Sequence, residues 1–243
     1  MPYVDQATAA CRCEWGLVGL ESLAPADVVI VVDVLSFSTC VDVAVGRGVA
    51  ILPYRWKDAS AESFAASELA ELARPRGQGR YSLSPASFQD APPGTRCVLP
   101  SPNGATLSLR AAETGAAVLA GCLRNAAAVA KAAQALGVTF NLCPAGERWS
   151  DGTLRFAVED WLAAGAILRH LPGRRSSEAE AAVAAFERRQ GTILEALMAS
   201  SSGRELIELS FQIDIECAAR VEASARVPRL VGNSFVDVSG LTV

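Results

Sequence analysis

The sequence predicts an α/β fold: three layers, α/β/α, with a mostly parallel or mixed central sheet and a helical C-terminal portion. Three observations carry this expectation. Short β-branched apolar runs alternate with Ala-rich helical stretches, the pattern of a repeated strand–helix unit. The run Val28-Val29-Ile30-Val31-Val32 is apolar without interruption, as in a strand buried on both faces. After Pro172-Gly173 the texture changes to charged helical segments. The expectation is one domain over 1–243, with 1–172 and 173–243 as candidate lobes.

The elements follow in order. Val28–Val32 is a strand, and Ser38 and Thr39 offer caps to a helix through Val41-Asp42-Val43-Ala44-Val45. Ala50–Leu52 is a short strand and Ala59–Ala73 an amphipathic helix. Arg74–Thr95, rich in Gly, Pro and Ser, is a long loop, and loops of that length in compact domains are often functional. Cys97–Leu99 is a strand, Ala105–Ala112 a helix, Ala117–Leu119 a strand and Asn125–Leu136 a helix. Val138–Leu142 is a strand, and a polar loop over Pro144–Thr153 leads to a helix from Val158 to Arg169. Ser177–Ser200 and Gly203–Ala219 read as helical, and Val227–Val231 as a late strand or extended tail.

Composition narrows the function. Hydrophobic residues make up 51% and charged residues 20%, which excludes a disordered chain. The formal net charge of -4 argues against a broad nucleic-acid-binding surface. No run is long enough to span a bilayer, so no membrane partner is expected. The start Met1-Pro2-Tyr3-Val4-Asp5-Gln6 lacks the basic and apolar segments of a secretory signal, so a cytoplasmic location with reduced thiols is expected for the seven cysteines. Cys11 and Cys13 form a Cys-x-Cys pair with no second pair at zinc spacing. The single histidine, His170, leaves too little for binuclear or histidine phosphatase chemistry. Walker, complete Gly-x-Gly-x-x-Gly, Gly-x-Ser-x-Gly and Cys-x5-Arg motifs are missing, and Leu35 stands where a haloacid dehalogenase would carry its second Asp.

In open α/β sheets, ligands collect beyond the carboxyl ends of strands, beside free N–H groups of helix starts. Four such junctions are legible. At the first, Asp33 follows five apolar residues; it is a capping carboxylate, a metal ligand or a nucleophile. At the second, Asn103-Gly104 permits a left-handed turn into a helix whose backbone donors suit a phosphate, although Asn-Gly is also a common plain turn. At the third, Asn125 reads most simply as a helix cap and Arg124 as an anion ligand. The fourth carries Glu147, Arg148, Asp151, Glu159 and Asp160; its carboxylates are either solvated surface charge or a hard-cation site of the kind Mg²⁺ prefers. Glu159 and Asp160 sit in an otherwise apolar helix, which suits surface charge poorly.

Taken in order, these segments resemble the 2-phosphosulfolactate phosphatase (ComB-like) family. The matching stretches are Val31–Leu35 with Ser38-Thr39, Ser84-Pro85 with Phe88, Asn103-Gly104, Asn125, and Ala145-Gly146 leading to Glu159-Asp160 and Ala164-Gly165. Asp214–Ala218 and Val227-Pro228 follow near the C-terminus. The resemblance implies Mg²⁺-dependent hydrolysis of a phosphate monoester on a small organic acid, a sulfonated lactate, 2-phosphosulfolactate giving sulfolactate and phosphate in a reaction of coenzyme M synthesis. It implies Asp33, Glu159 and Asp160 as catalytic and metal-binding residues. Ser38, Thr39, Asn103, Gly104 and Asn125 would face the phosphate, with Arg124 and Arg148 for the substrate's acidic groups. The expected assembly is a homodimer. Three departures stand out. Pro53-Tyr54-Arg55-Trp56 stands where a Gly-Glu-Arg stretch is expected after the second strand. Ser36 occupies a position where the family commonly has Arg, and Ser82-Leu83-Ser84-Pro85 replaces Gly-Asn-Ser-Pro. Arg is the preferred bidentate partner of oxyanions, so the substrate's second acidic group needs another grip; Arg124, Arg148 and Arg80 are the candidates. The competing reading is a non-catalytic binding protein for a phosphorylated acid on the same fold.

Overall fold

A computed structural model describes residues 3–56 and 58–240. Its frame is a nine-stranded mixed sheet flanked by helices. The elements in chain order are β1 (Cys11–Cys13), α1 (Gly16–Ser22), β2 (Val28–Val32), α2 (Phe37–Gly46), β3 (Ala50–Tyr54), α3 (Ser60–Ser67), β4 (Glu71–Leu72), β5 (Arg96–Pro100), α4 (Gly104–Ala112), β6 (Ala117–Gly121), α5 (Ala126–Leu136) and β7 (Phe140–Pro144). Then come β8 (Glu147–Arg148), β9 (Leu154–Arg155), α6 (Val158–Leu168), α7 (Ser177–Arg189), α8 (Ile193–Ala199), α9 (Ser201–Glu208), α10 (Gln212–Ala218), β10 (Pro228–Val231) and β11 (Ser234–Asp237).

The strand order is β1-β7-β2-β6-β10-β11-β3-β5-β4. Parallel pairs join β1, β7, β2 and β6 on one side and β3, β5 and β4 on the other. The antiparallel β10–β11 hairpin is inserted between them, each seam made by one residue pair, Arg229 opposite Leu119 and Phe235 opposite Ile51. In a flat sheet β2 and β5 would lie about 24 Å apart at ~4.8 Å per strand. The residues just after them nevertheless touch, so the sheet is strongly curled. Helix α2 packs against β3, β6, β10 and β11, and α4 against β2, β3 and β6, inside that curl.

Alternation along β2 shows why the apolar run is uninterrupted. Val28, Ile30 and Val32 face a core shared with α5, α6 and α7, whereas Val29 and Val31 face a core shared with α1, α2 and α4. All five side chains are buried. Helix α7 is capped by Ser176, whose side chain accepts from the Ala179 N–H, and carries Glu178 and Glu180 in its first turn and Arg188 and Arg189 in its last, matching the helix dipole. It lies so close to α6 that a Cβ at Gly165 would sit 2.0 Å from the Ala182 carbonyl oxygen.

Several expected boundaries moved. The helix expected over Ala59–Ala73 stops at Ser67; Leu69 takes a left-handed conformation (φ 51°), and Glu71-Leu72 pairs beside Cys97-Val98. Partnering with β5 outweighs the helical propensity of that stretch. The strand expected at Val138 begins at Phe140, because Val138 is largely exposed and its N–H, like that of Thr139, donates to Asp27 Oδ2. The polar loop after β7 contains the small β8–β9 hairpin. Cys11 and Cys13 lie in a buried edge strand, and β11 turns back on β10 through Gly232 at φ 60°.

Candidate active site

Asp33 leaves the carboxyl end of β2 and turns directly toward two helix starts. Its Oδ1 accepts the Phe37 N–H at 3.2 Å from the start of α2, and its Oδ2 accepts the Gly104 N–H at 2.9 Å from the start of α4. The Ser101 hydroxyl stands 3.5 Å from the same Oδ2. Only glycine permits this approach at position 104: a Cβ there would lie 2.6 Å from Asp33 Oδ2 and 2.5 Å from Phe37 Cδ1. Burial, joined by the charges of Glu147 and Glu159 and opposed by the two N–H bonds, brings the Asp33 carboxyl up to about 6.

Behind Asp33, Asp160 in the first turn of α6 ties two loops together. Its Oδ1 accepts the Val34 N–H at 2.7 Å and its Oδ2 the Gly146 N–H at 3.0 Å. Burial raises its pKa well above the ordinary carboxylate value, and the charges of Asp33 and Glu159 add to this. Glu159 is buried as well, and its carboxylate makes no hydrogen bond or ion pair among the described residues. Asn103 connects the start of α4 to the β8 strand: its amide donates to Glu147 Oε1 at 2.8 Å, and its carbonyl oxygen accepts from Arg148 Nε at 3.1 Å.

These groups open on a cleft of ≈ 180 Å³ whose polar wall is Asp33, Ser36, Arg76, Ser101, Asn103, Glu147, Ser202 and Glu205. A larger hollow of ≈ 700 Å³ shares Arg76, Leu83 and Leu209 with it but is mostly apolar. The buried carboxylates, not volume, select the smaller cleft as the site.

The residues expected at the site therefore separate. Asp33, Asn103, Gly104, Glu159, Asp160 and Arg148 lie in or around the cleft. Gly104 donates its N–H to Asp33 instead of offering it to a phosphate, and Arg148 is exposed, held by Asn103 and the Gly152 carbonyl. Ser38 and Thr39 are buried braces of the loop after β2: Ser38 Oγ accepts from the Asp33 N–H and donates to the Val31 carbonyl, and Thr39 Oγ1 donates to the Val34 carbonyl. Asn125 folds its own turn, accepting the Cys122 N–H at 2.8 Å. Arg124 is away from the cleft, paired with Asp42 at 2.8 Å. As a three-ligand metal set, Asp33, Glu159 and Asp160 are not assembled: among the described residues no three acidic, His or Cys side chains converge to hold a metal. The oxygens of Asp33 and Asp160 are turned to backbone N–H groups instead.

The sequence reading missed Arg76. It comes from the long loop after β4 and donates from Nη2 to Ser36 Oγ at 2.8 Å. Its Nε lies 3.5 Å from Asp214 Oδ2, and Asp214 Oδ1 accepts the Ser84 hydroxyl at 2.6 Å. The loop's length was the one signal for it; nothing local separates Arg76 from Arg74 or Arg80. Ser84 and Asp214, which the sequence reading quoted as separate stretches, are thus one contact.

The profile of a family described as 2-phosphosulpholactate phosphatase matches residues 19–233. A "2-phosphosulfolactate phosphatase" of Methanothermobacter thermautotrophicus is 35% identical over 135 residues, covering 56% of this chain and 56% of that protein, so the match spans just over half its length. A "Probable 2-phosphosulfolactate phosphatase" of Gloeobacter violaceus is 27% identical over 214 residues, covering 84% of this chain and 88% of that protein. One of the same description from Deinococcus radiodurans is 32% identical over 151 residues, covering 61% of each.

Proposed function

The chain belongs to the 2-phosphosulpholactate phosphatase family, and from that premise we propose that it hydrolyses the phosphate monoester of a small organic acid, 2-phosphosulfolactate being the first substrate to test. The observation that carries the reading is Asp33: a buried carboxylate at a strand mouth, held by two helix-start N–H groups and facing a small polar cleft. Two further features support it. The cleft's size suits a substrate of few atoms. Its wall includes Ser101 and Asn103, whose polar side chains on the turn into α4 suit a phosphate oxygen.

The electrostatics call for a cation. Asp33, Glu147 and Glu205 face the cleft against Arg76 alone, and Glu159 and Asp160 lie behind them. A phosphate dianion entering such a site is repelled unless positive charge accompanies it. The donors are all hard oxygens, which fits Mg²⁺ carrying several waters and one or two carboxylates. Asp33 and Glu147 would hold it, and it would supply charge neutralisation for the transferring phosphoryl group. The protein's own part is positional. Gly104 and Phe37 fix Asp33, Asn103 fixes Glu147, and Asp160 fixes the two loops that carry the site. The buried state of all seven cysteines as free thiols supports a reducing, cytoplasmic setting. No helix of the described residues is long and apolar enough to cross a membrane.

The test is a phosphate-release screen over phosphorylated hydroxy acids after chelator treatment, with Mg²⁺ or Zn²⁺ added back. Release that requires Mg²⁺ supports the proposal. Full turnover by the chelated protein removes the metal from it. Tight binding of these esters with no release under any condition favours the binding-protein reading.

A further inference from the structure

We propose that Arg76 is the specificity-determining residue of this cleft, and that its guanidinium binds the second acidic group, a carboxylate or sulfonate, of a phosphorylated substrate. The inference rests on the reading above for the phosphate itself. Among the described residues, Arg76 is the one cationic side chain lining the cleft with Asp33. The other arginines considered for this grip are committed elsewhere: Arg124 to Asp42, Arg148 to Asn103 and Gly152, and Arg80 to Glu71. The Arg76 side chain is 22% exposed and held on three sides. Ser36 accepts from Nη2, Phe211 lies under the guanidinium with its ring centre 5.4 Å away, and Asp214 supplies counter-charge at the Nε edge.

The holding is incomplete in a telling way. Nε and Asp214 Oδ2 are both buried and face each other at 3.5 Å, a charge contact without hydrogen-bond geometry. Nη1 makes no hydrogen bond among the described residues. A purely structural ion pair closes its hydrogen bonds, because a buried donor left open is costly. Here Asp214 holds the buried Nε edge at 3.5 Å while Nη1 and the second N–H of Nη2 keep their bonding capacity, the pair of donors that bidentate recognition of an oxyanion needs. Ser36 completes the logic. Its short hydroxyl, on the loop after β2, receives the guanidinium that arrives from the loop after β4.

The experiment is calorimetric titration of the full chain with sulfolactate, lactate and inorganic phosphate, on the unaltered protein, Arg76→Gln and Arg76→Lys. Arg76→Gln should weaken sulfolactate binding at least tenfold more than phosphate binding, with Arg76→Lys between, since a point charge keeps attraction but not the fork. Equal losses for sulfolactate and lactate assign the contact to the carboxylate; a loss for sulfolactate alone assigns it to the sulfonate. Parallel losses for sulfolactate and phosphate, no loss at all, or no sulfolactate binding by the unaltered protein overturn the proposal. If Arg76→Gln melts early, Arg76→Lys, which keeps the charge facing Asp214 and Phe211, decides by the same comparison. Absence of phosphate release alongside the expected binding pattern defeats the catalytic reading and leaves this assignment standing.

Discussion

At the residue scale, the proposed chemistry centres on Asp33. Asp33→Asn should lower kcat by on the order of a thousandfold, about 4 kcal/mol of transition-state stabilisation, measured as phosphate release. Its melting temperature should move little, because two effects oppose each other. The amide removes a buried charge, but its NH₂ cannot accept the N–H that the lost oxygen accepted. A variant with near-normal kcat would reduce Asp33 to a capping residue. Burial places the Asp33 carboxyl at about 6, so kcat/KM of the unaltered protein should rise through pH 6 as the carboxylate forms. A flat profile from pH 5 to 7 would show that this ionisation is not used. Gly104→Ala tests the same contact from the other side. Its Cβ would meet Asp33 and Phe37 at 2.6 and 2.5 Å, so it should cost about 1–3 kcal/mol in denaturant unfolding and also depress turnover.

At the element scale, α6 carries Asp160 to where the loops after β2 and β7 meet. Asp160→Ala should leave the N–H groups of Val34 and Gly146 buried without acceptors, at about 1–3 kcal/mol each. The expected result is a clear drop in the denaturant midpoint, with turnover falling because the Asp33 loop loosens. Unchanged stability would mean that water or another group takes over both donors. The acidic first turn of α6 was legible in the sequence as carboxylates in an apolar helix. Its use was not, since a metal ligand and a backbone bracket require the same residue in the same place. Helix α3 gives the converse case. Its Ala-rich pattern announced a helix, but where it stops was set by β4 pairing with β5, a contact no local window contains.

At the scale of the whole molecule, curvature assembles the site. The β10–β11 hairpin joins two parallel half-sheets through single-pair seams, and the bend there brings the ends of β2 and β5 together around α2 and α4. Buried carboxylates also leave a mark on stability. Asp33, Asp160, Asp42 and Asp214 all have folded pKa values raised by burial. The folded protein then binds more protons than the unfolded chain between the unfolded value near 4 and the folded one, so stability falls as pH rises through that window. For Asp33 alone, rising from 3.8 to about 6, the loss is about 3 kcal/mol by neutral pH. Asp27, lowered by N–H bonds from Val138 and Thr139, acts in the opposite sense and loses its contribution as pH falls below about 4. The unfolding free energy should therefore be higher near pH 5 than near pH 7. A higher value at pH 7 would mean that the buried acids are compensated in the folded state.

What the sequence determined by itself was what is written in local pattern. The two-faced burial of Val28–Val32, the strand–helix alternation and the acid at the strand mouth follow from periodicity; Gly104 is glycine for the close approach of Asp33 and Phe37, not for a left-handed turn. Tertiary structure decided the rest, because it depends on distances across the fold. Asp33 and Gly104 meet only because the sheet curls. Arg124 belongs to Asp42, and Ser38, Thr39 and Asn125 brace turns, because their partners lie within reach only after folding. Arg76, forty residues from Ser36 along the chain, arrives at the cleft because its loop is pinned by Ser84 and the stacked Tyr81 and Phe88, and no spacing in the sequence encodes where such a loop lands.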